Sequence, residues 1–199
     1  MKVLIISDTH GKSSCLKQIH DIVGDVDMLI HLGDVEGDEK LIHDLFDCEI
    51  HMVRGNCDYN PELPIYDEFN IGDKKAFITH GHRYSVNSGI SYLEELIDLE
   101  GYDFVMYGHT HRRDLTCYKD SYIVNPGSLA LPRDNRIGTY MLLDFDQHGT
   151  PFLHRMSCRG LSRMCQVFEE NLTCSISPAE GSFKWLMFHT GGEEEEEVF

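Results

Sequence analysis

The sequence predicts a mixed α/β (α+β) fold in which two sheets of mixed strands pack face to face as a β-sandwich, with helices flanking them. Three observations lead there. Short apolar runs alternate with helix-period segments as far as residue 54. From about residue 65 onward, strand-like runs are joined by turn residues instead. Polar side chains of metal-ligand type recur just after the apolar runs, as buried strands feeding one sheet edge would place them.

Residues 2–7 are apolar after Lys2 and read as a buried strand. Ser13 or Ser14 then caps a helix to about Val23, with Leu16, Ile19, Ile22 and Val23 on one side. Residues 27–32 form a second strand, Asp38 opens a helix bearing Leu41, Ile42, Leu45 and Phe46, and residues 49–54 form a third strand. Repeated strand–helix–strand units imply parallel pairing. Residues 65–70 and 75–79 flank the Ile71, Gly72 and Asp73 turn, which reads as a hairpin. Ser88 or Ser91 starts a helix to about Leu99, with Ile90, Leu93, Leu96 and Ile97 at helical spacing, and residues 104–107 are a strand. Residues 115–119 and 122–125, then 138–146 and 152–155, make two further hairpins, so the second half is expected to be antiparallel.

One domain over residues 1–155 accounts for this pattern. Residues 156–199 read as a poorly structured, acidic tail holding Cys158, Cys165 and Cys174 and a run of glutamates from Glu193 to Glu197. Within it, 183–188 is apolar enough to dock as a short helix.

The 199-residue chain has 17 basic and 34 acidic residues and a formal charge of −17. Through residue 155 there are 14 basic and 26 acidic residues, so the body alone carries −12. Such a surface repels nucleic-acid backbones and anionic membranes, which argues against a long nucleic acid or a membrane as partner. Two divalent cations would restore positive charge locally, enough to draw a phosphate into a cleft. Seven cysteines without a CxxC pair, and Lys2 leading directly into the first strand, suggest a cytoplasmic protein with reduced thiols. Exposed strand edges and the apolar run 183–188 are compatible with a homo-oligomer.

The polar residues after the strands carry the chemistry. Asp8 and His10 follow the first strand, Asp34 the second, Asn56 the third, His80 the 75–79 run, and His109 and His111 the 104–107 run. Each piece alone reads as a turn or a cap, since Gly, Asn and Asp favour turns. Two histidines one residue apart after an apolar strand, and the recurrence of the theme at five points, make coincidence a poor account. Aspartate, asparagine and histidine together suit divalent cations of intermediate hardness, and two such ions in one cleft suit phosphate ester chemistry.

The order Asp8-x-His10, Gly33-Asp34, Gly55-Asn56-Cys57-Asp58, His80 and Gly108-His109-Thr110-His111 resembles the calcineurin-like metallophosphoesterases. The short form, with Asn125, Pro126, Gly127 and Ser128, is most similar to the YfcE-type phosphodiesterases. The resemblance spans residues 1–155 and implies the metallophosphoesterase fold. It implies that Asp8, His10 and His111 hold one ion, that Asn56, His80 and His109 hold a second, and that Asp34 bridges both. It favours manganese, with nickel, cobalt, zinc or iron as alternatives; nitrogen-rich coordination disfavours calcium and magnesium.

The reaction so implied is hydrolysis of a small phosphate ester by a bridging hydroxide, without a covalent enzyme intermediate. Asp34, Asn56, Cys57, Arg54 and His82 are the candidate catalytic residues. Arg54 is placed to hold a phosphate oxygen, against a structural ion pair. His82 is a candidate orienter or proton donor, against a plain loop histidine. Many relatives carry histidine where Cys57 stands. A thiol is neutral and donates a proton poorly near pH 7, so a preference for esters with good leaving groups is expected. The competing readings are a phosphomonoesterase or nucleotide pyrophosphatase, and a non-catalytic protein-binding scaffold like the metallophosphoesterase-like subunit of the retromer coat. The presence of all seven ligands favours the enzyme.

Overall fold

The computed structural model describes residues 1–134 and 136–158, with the backbone of two short strands, Leu172–Cys174 and Trp185–Met187. In chain order the elements are β1 (Lys2–Ile6), α1 (Ser13–Val23), β2 (Met28–His31), α2 (Glu39–Leu45), β3 (Glu49–Met52), β4 (Tyr66–Ile71) and β5 (Lys74–Thr79). A single 3-10 turn over His82–Tyr84 precedes α3 (Ser91–Glu100), β6 (Phe104–Met106), β7 (Arg113–Tyr118), β8 (Ser121–Pro126), β9 (Thr139–Phe145) and β10 (Pro151–Ser157). Leu172–Cys174 (β11) and Trp185–Met187 (β12) pair as an antiparallel two-stranded sheet.

The first five-stranded sheet has the order β10-β9-β1-β2-β3, and the second β4-β5-β6-β8-β7. In the first, β1 pairs parallel with β2 and β2 with β3, while β9 runs antiparallel to both β1 and β10. In the second, β6 is parallel to β5 and to β8, whereas β4 and β7 are antiparallel edges. The second half is therefore mixed rather than antiparallel. The hairpins are present, but α3 returns the chain so that β6 enters parallel to β5, and β7 moves to the edge and leaves β8 beside β6.

Period-2 alternation explains the four layers. Val3, Ile5, Met28 and Ile30 face inward and meet Ala76, Ile78, Phe104, Met106 and Val124 of the second sheet. The alternate residues Leu4, Ile6 and Leu29 face outward under Leu16 and Ile19 of α1 and Ile42 of α2. On the far side Phe77, Val105 and Ile123 are covered by Leu93 and Ile97 of α3. The central strands are buried on both faces, so they read as unbroken apolar runs. Each fully buried Leu or Ile stabilises the fold by about 1.5–3 kcal/mol before conformational costs.

Several local expectations change. No side chain caps α1; its first residue is preceded by Lys12, and the Ser13 hydroxyl instead donates to Asp38 Oδ1 at 2.7 Å, tying the starts of α1 and α2 together. Strand β10 continues to Ser157, past the boundary expected at 155. Trp185–Met187 is a strand, not part of a helix over 183–188; a short apolar run does not distinguish the two by periodicity. The rest of the expected tail lies outside the described residues. Cys15, Cys48 and Cys57 are free thiols, but Cys117 on β7 is disulfide-bonded, which corrects the expectation of wholly reduced cysteines. Spacing along the chain says nothing about pairs brought together from afar. Among the described residues, no helix is long and apolar enough to cross a membrane.

Candidate metal centre

Parallel strands end on the same edge, and that edge collects the polar residues. Asp8 and His10 follow β1, Asp34 follows β2, Asn56 follows β3, His80 follows β5, and His109 and His111 follow β6. Backbone bonds bind neighbouring loops: Asp8 N–H donates to Gly33 O at 3.0 Å, His10 N–H to Asp34 O at 2.9 Å, and Gly108 N–H to His80 O at 3.1 Å. Two contacts join the sheets, His80 Nδ1 to Leu32 O at 2.7 Å and His109 N–H to Asp8 Oδ2 at 3.2 Å.

The backbone is bent to aim these groups. Asp8, His10, Asp34, His109 and His111 all have left-handed φ, between 48° and 67°. Such a conformation costs an L residue about 1 kcal/mol or more and persists only when packing enforces it. Gly108 shows how tight that packing is, because a Cβ there would collide with the Ser7 hydroxyl and the Asp8 carboxylate.

The ring nitrogens fix which atoms carry lone pairs. His111 Nδ1 lies 2.8 Å from Leu131 O, and His80 Nδ1 lies 2.7 Å from Leu32 O. A carbonyl only accepts, so both Nδ1 atoms carry hydrogen and, in the neutral ring, each Nε2 is a bare acceptor. His10 Nδ1 sits 2.6 Å from Glu36 Oε1, with the same consequence. Yet His10 Nε2 faces His111 Nε2 at 3.2 Å, and His111 Nε2 faces Asp8 Oδ1 at 3.2 Å. Among the described residues, the buried Asp8 Oδ1 has no hydrogen-bond partner. His80 Nε2 faces Asn56 Oδ1 at 3.2 Å and Asp34 Oδ2 at 3.4 Å. Acceptors pointed at acceptors repel unless a positive centre lies between them. The donor set therefore fits divalent cations.

Two groupings emerge. Ligand atoms of Asp8, His10, Asp34 and His111 all lie within 4.8 Å of one another. Asn56, His80 and Asp34 make the second cluster. Asp34 Oδ2 stands at 3.4 Å from His80 Nε2 and 3.8 Å from His10 Nε2, so one oxygen lies near both groupings. His109 is less committed: its Nε2 is 2.9 Å from Asn87 Nδ2, and its ring centroid is 5.2 Å from that of His80.

Electrostatics agree with a demand for positive charge. Burial alone would raise the Asp34 carboxyl, but the hydrogen bond and charge of His80, with the Cys57 N–H at 2.8 Å, hold it well below the usual range. Burial alone would lower His80 and His111, but the Asp34 and Asp8 carboxylates respectively raise both above the ordinary imidazole value. His109 is lowered by burial and by the charge of His80. The Cys57 thiol is pushed up to about 11 by burial and by the charge of Asp34.

Cys57 Sγ is 3.2 Å from Asn56 Nδ2. His82 opens the 3-10 turn with ring centroids 5.5 Å from His80 and 6.1 Å from His109; its buried Nδ1 has no partner among the described residues, and burial lowers its pKa. Arg54 is half-buried and makes no ion pair among the described residues; its backbone N–H donates to Pro64 O at 2.7 Å.

Several supporting residues were assigned no chemical role from the sequence. The Asp58 carboxylate accepts the N–H groups of Asp34, Glu36 and Gly55 at 2.8, 2.8 and 2.7 Å. It stands inside the Gly-Asn-x-Asp motif, which was its available signal. Glu36 had none. The buried Asn125 donates to Gly108 O at 2.9 Å and Thr110 Oγ1 at 3.1 Å, and the Ser128 hydroxyl donates to Asp8 O at 2.8 Å, so the 125–128 segment pins two ligand loops. Buried His31 is kept neutral, its pKa lowered to about 4 by burial; its Nδ1 accepts the Gly33 N–H, so its Nε2–H donates to Thr9 Oγ1 at 3.0 Å. Its role is structural.

Residues 1–148 match the calcineurin-like phosphoesterase superfamily domain. The chain is 31% identical over 149 residues to the probable metallophosphoesterase YsnB of Bacillus subtilis, covering 73% of this chain and 85% of that protein. It is 27% identical over 170 residues to phosphodiesterase YfcE of Escherichia coli, covering 73% and 89%. The crystal structure of wild-type Vps29 complexed with zinc, from Entamoeba histolytica, superposes with a TM-score of 0.69 at 23% identity over 85% of this chain and 99% of that one; this likeness is one of fold. The chain thus belongs to the calcineurin-like phosphoesterase superfamily and is a metal-dependent phosphoester hydrolase.

Proposed function

We propose that the protein is a phosphodiesterase that hydrolyses a small phosphate ester at a dinuclear centre. Asp8, His10 and His111 would hold one cation, Asn56, His80 and His109 the other, and Asp34 both. The observation that carries this reading is the pair of facing lone-pair clusters, His10 Nε2 to His111 Nε2 at 3.2 Å and His80 Nε2 to Asn56 Oδ1 at 3.2 Å, with Asp34 Oδ2 between them. Divalent cations so held supply Lewis acidity toward phosphate oxygens and a water acidified to near neutral pKa. Manganese is the ion we favour, by resemblance to the family, with nickel, cobalt, zinc or iron as alternatives; nitrogen-rich coordination disfavours calcium and magnesium.

The chain's own residues set the geometry. Leu32 O and Leu131 O hold the His80 and His111 rings with Nε2 toward the cleft, and Glu36 does the same for His10. His109 takes its place in the second set by releasing Asn87. Arg54 is assigned to a non-bridging phosphate oxygen. His82 is assigned to the leaving-group side. Cys57, neutral at pH 7, supplies neither charge nor a ready proton, so aryl esters and other good leaving groups are preferred. The charge of −17 leaves small esters, rather than long nucleic acids, as the substrates.

A cytoplasmic setting is part of this proposal. The free thiols of Cys15, Cys48 and Cys57 agree with it, and the Cys117 disulfide runs against it. The scaffold reading has the Vps29 fold in its favour; the presence of all seven candidate ligands in this chain supports the enzyme instead.

The test is hydrolysis of bis-p-nitrophenyl phosphate and its monoester by metal-stripped protein given back manganese, with Asp34→Asn as control. Metal-dependent diester cleavage that falls by about 100-fold or more in Asp34→Asn is the expected result. Silence with every divalent metal, despite stoichiometric binding, would favour the scaffold.

A further inference from the structure

Beside the metal centre, a cavity of about 440 Å³ is lined by Arg112, Arg113 and Arg133, with Asn87, Thr110 and Asp114 among its other walls. Three arginines around one cavity stand out in a chain of net charge −17 with 17 basic residues in all. Their charges are not equally committed. The Arg113 guanidinium is held by Asp134, Nε to Oδ2 at 3.1 Å. Arg112 and Arg133 are exposed and make no ion pair among the described residues. The one lining carboxylate, Asp114, is occupied by the Tyr107 hydroxyl at 2.9 Å and the Thr116 hydroxyl at 3.1 Å.

The cavity adjoins the candidate ligands directly. Asn87 contacts His109 Nε2 at 2.9 Å, Thr110 lies between His109 and His111, and Arg133 N–H donates to His111 O at 2.9 Å. A group bound there lies beside whatever sits between the cations. The lining offers guanidinium, amide and hydroxyl donors. Its one aromatic residue, Tyr107, is buried and turned to Asp114, so no ring is presented for stacking a base. Paired guanidiniums match a phosphate better than any neutral group, through bidentate hydrogen bonds.

We propose that this cavity binds a second phosphate of the substrate, so that the natural ester carries one phosphate at the metal centre and another held by Arg112 and Arg133. The proposal rests on the phosphodiesterase reading for the position of the scissile group. In the reaction itself the oxygen of water bonds to phosphorus as the ester P–O bond breaks; the leaving oxygen keeps that bond's electron pair and departs as an alcohol by taking up the proton the water gives up, or as a phenolate with that proton released to solvent. The second phosphate is not transferred.

Two chromogenic esters isolate it: thymidine 5′-(p-nitrophenyl phosphate) and its 3′-phosphorylated counterpart. Base, sugar, scissile bond and leaving group are common to both. The manganese-loaded protein is expected to prefer the 3′-phosphorylated ester by about 10-fold in kcat/KM, mainly through KM. That ratio should fall to about one in the Arg112→Ala, Arg133→Ala double variant and recover in part with Lys at both positions. Equilibrium dialysis of thymidine 3′,5′-bisphosphate against metal-stripped protein gives a second readout, with binding expected in the parent and lost in the double variant.

Equal rates on the two esters, or a preference that survives the double alanine variant, would overturn the cavity proposal and leave the phosphodiesterase reading standing. No hydrolysis of either ester, with arginine-dependent binding of the bisphosphate, would uphold the anion site and refute the hydrolytic reading. No arginine-dependent binding and no preference would refute the site outright.

Discussion

His10 Nε2 and His111 Nε2 face each other at 3.2 Å although the residues are 101 positions apart, and each ring spends its Nδ1 on an acceptor facing away from the other. With both rings neutral these are two lone pairs held in opposition, and the repulsion can be relieved by a proton or by a cation. Removing metal with a chelator should therefore lower the melting temperature, and returning manganese at about 100 times its Kd should restore about 2.7 kcal/mol. Calorimetric melts with and without chelator measure this; identical curves would mean that the cluster holds no ion.

Glu36 acts through His10. Its carboxylate lies 2.6 Å from Nδ1 and fixes which nitrogen is left to bind metal. Glu36→Gln keeps the size but weakens that grip, and the expected loss is about 10–100-fold in metal affinity. Titration calorimetry decides the point. Unchanged affinity would make Glu36 a bystander.

Asp58 gathers three backbone N–H groups from the loops that carry Asp34 and Asn56. Asp58→Ala removes all three acceptors at once. Hydrogen bonds to a charged acceptor contribute about 1.5–3 kcal/mol each and overlap when they share one group, so a loss of about 2–4 kcal/mol is expected. Denaturant unfolding of the metal-stripped form separates this from any change in metal binding.

Cys57 stands where many relatives have histidine. Cys57→His brings a cationic proton donor next to Asp34, whose carboxylate accepts the residue-57 N–H at 2.8 Å. Turnover of a diester with a poor leaving group, such as a methyl aryl phosphate cleaved at the alkyl side, should rise by about 10-fold or more. A loss would show that the thiol has a task of its own.

Gly108 admits no side chain. A Cβ there would meet Ser7 and Asp8, so Gly108→Ala should displace the β1 loop, cost about 1–3 kcal/mol and weaken metal binding. A chelator-insensitive melt at the parent temperature would contradict it.

Much of this protein is local and therefore readable from its residues in order. Strands such as Lys2–Ile6 and helices such as Ser13–Val23 follow from apolar periodicity, which depends on neighbours a few residues away. The candidate ligands were legible for the same reason, since each follows its own strand. What required the tertiary structure is set by partners distant in the chain. The pairing of β9 beside β1 and of β8 beside β6 depends on which apolar faces can be covered together, so hairpin signals alone gave the wrong sense for β6. The lone pairs of His10, His80 and His111 became known only once Glu36, Leu32 O and Leu131 O appeared at their other nitrogens. Arg112 and Arg133 are two ordinary surface residues until the loop after β8 folds over the one before β7 and closes a cavity between them. Periodicity and residue type determine the elements and the ligand types; burial and hydrogen bonding between remote segments decide how those ligands are aimed.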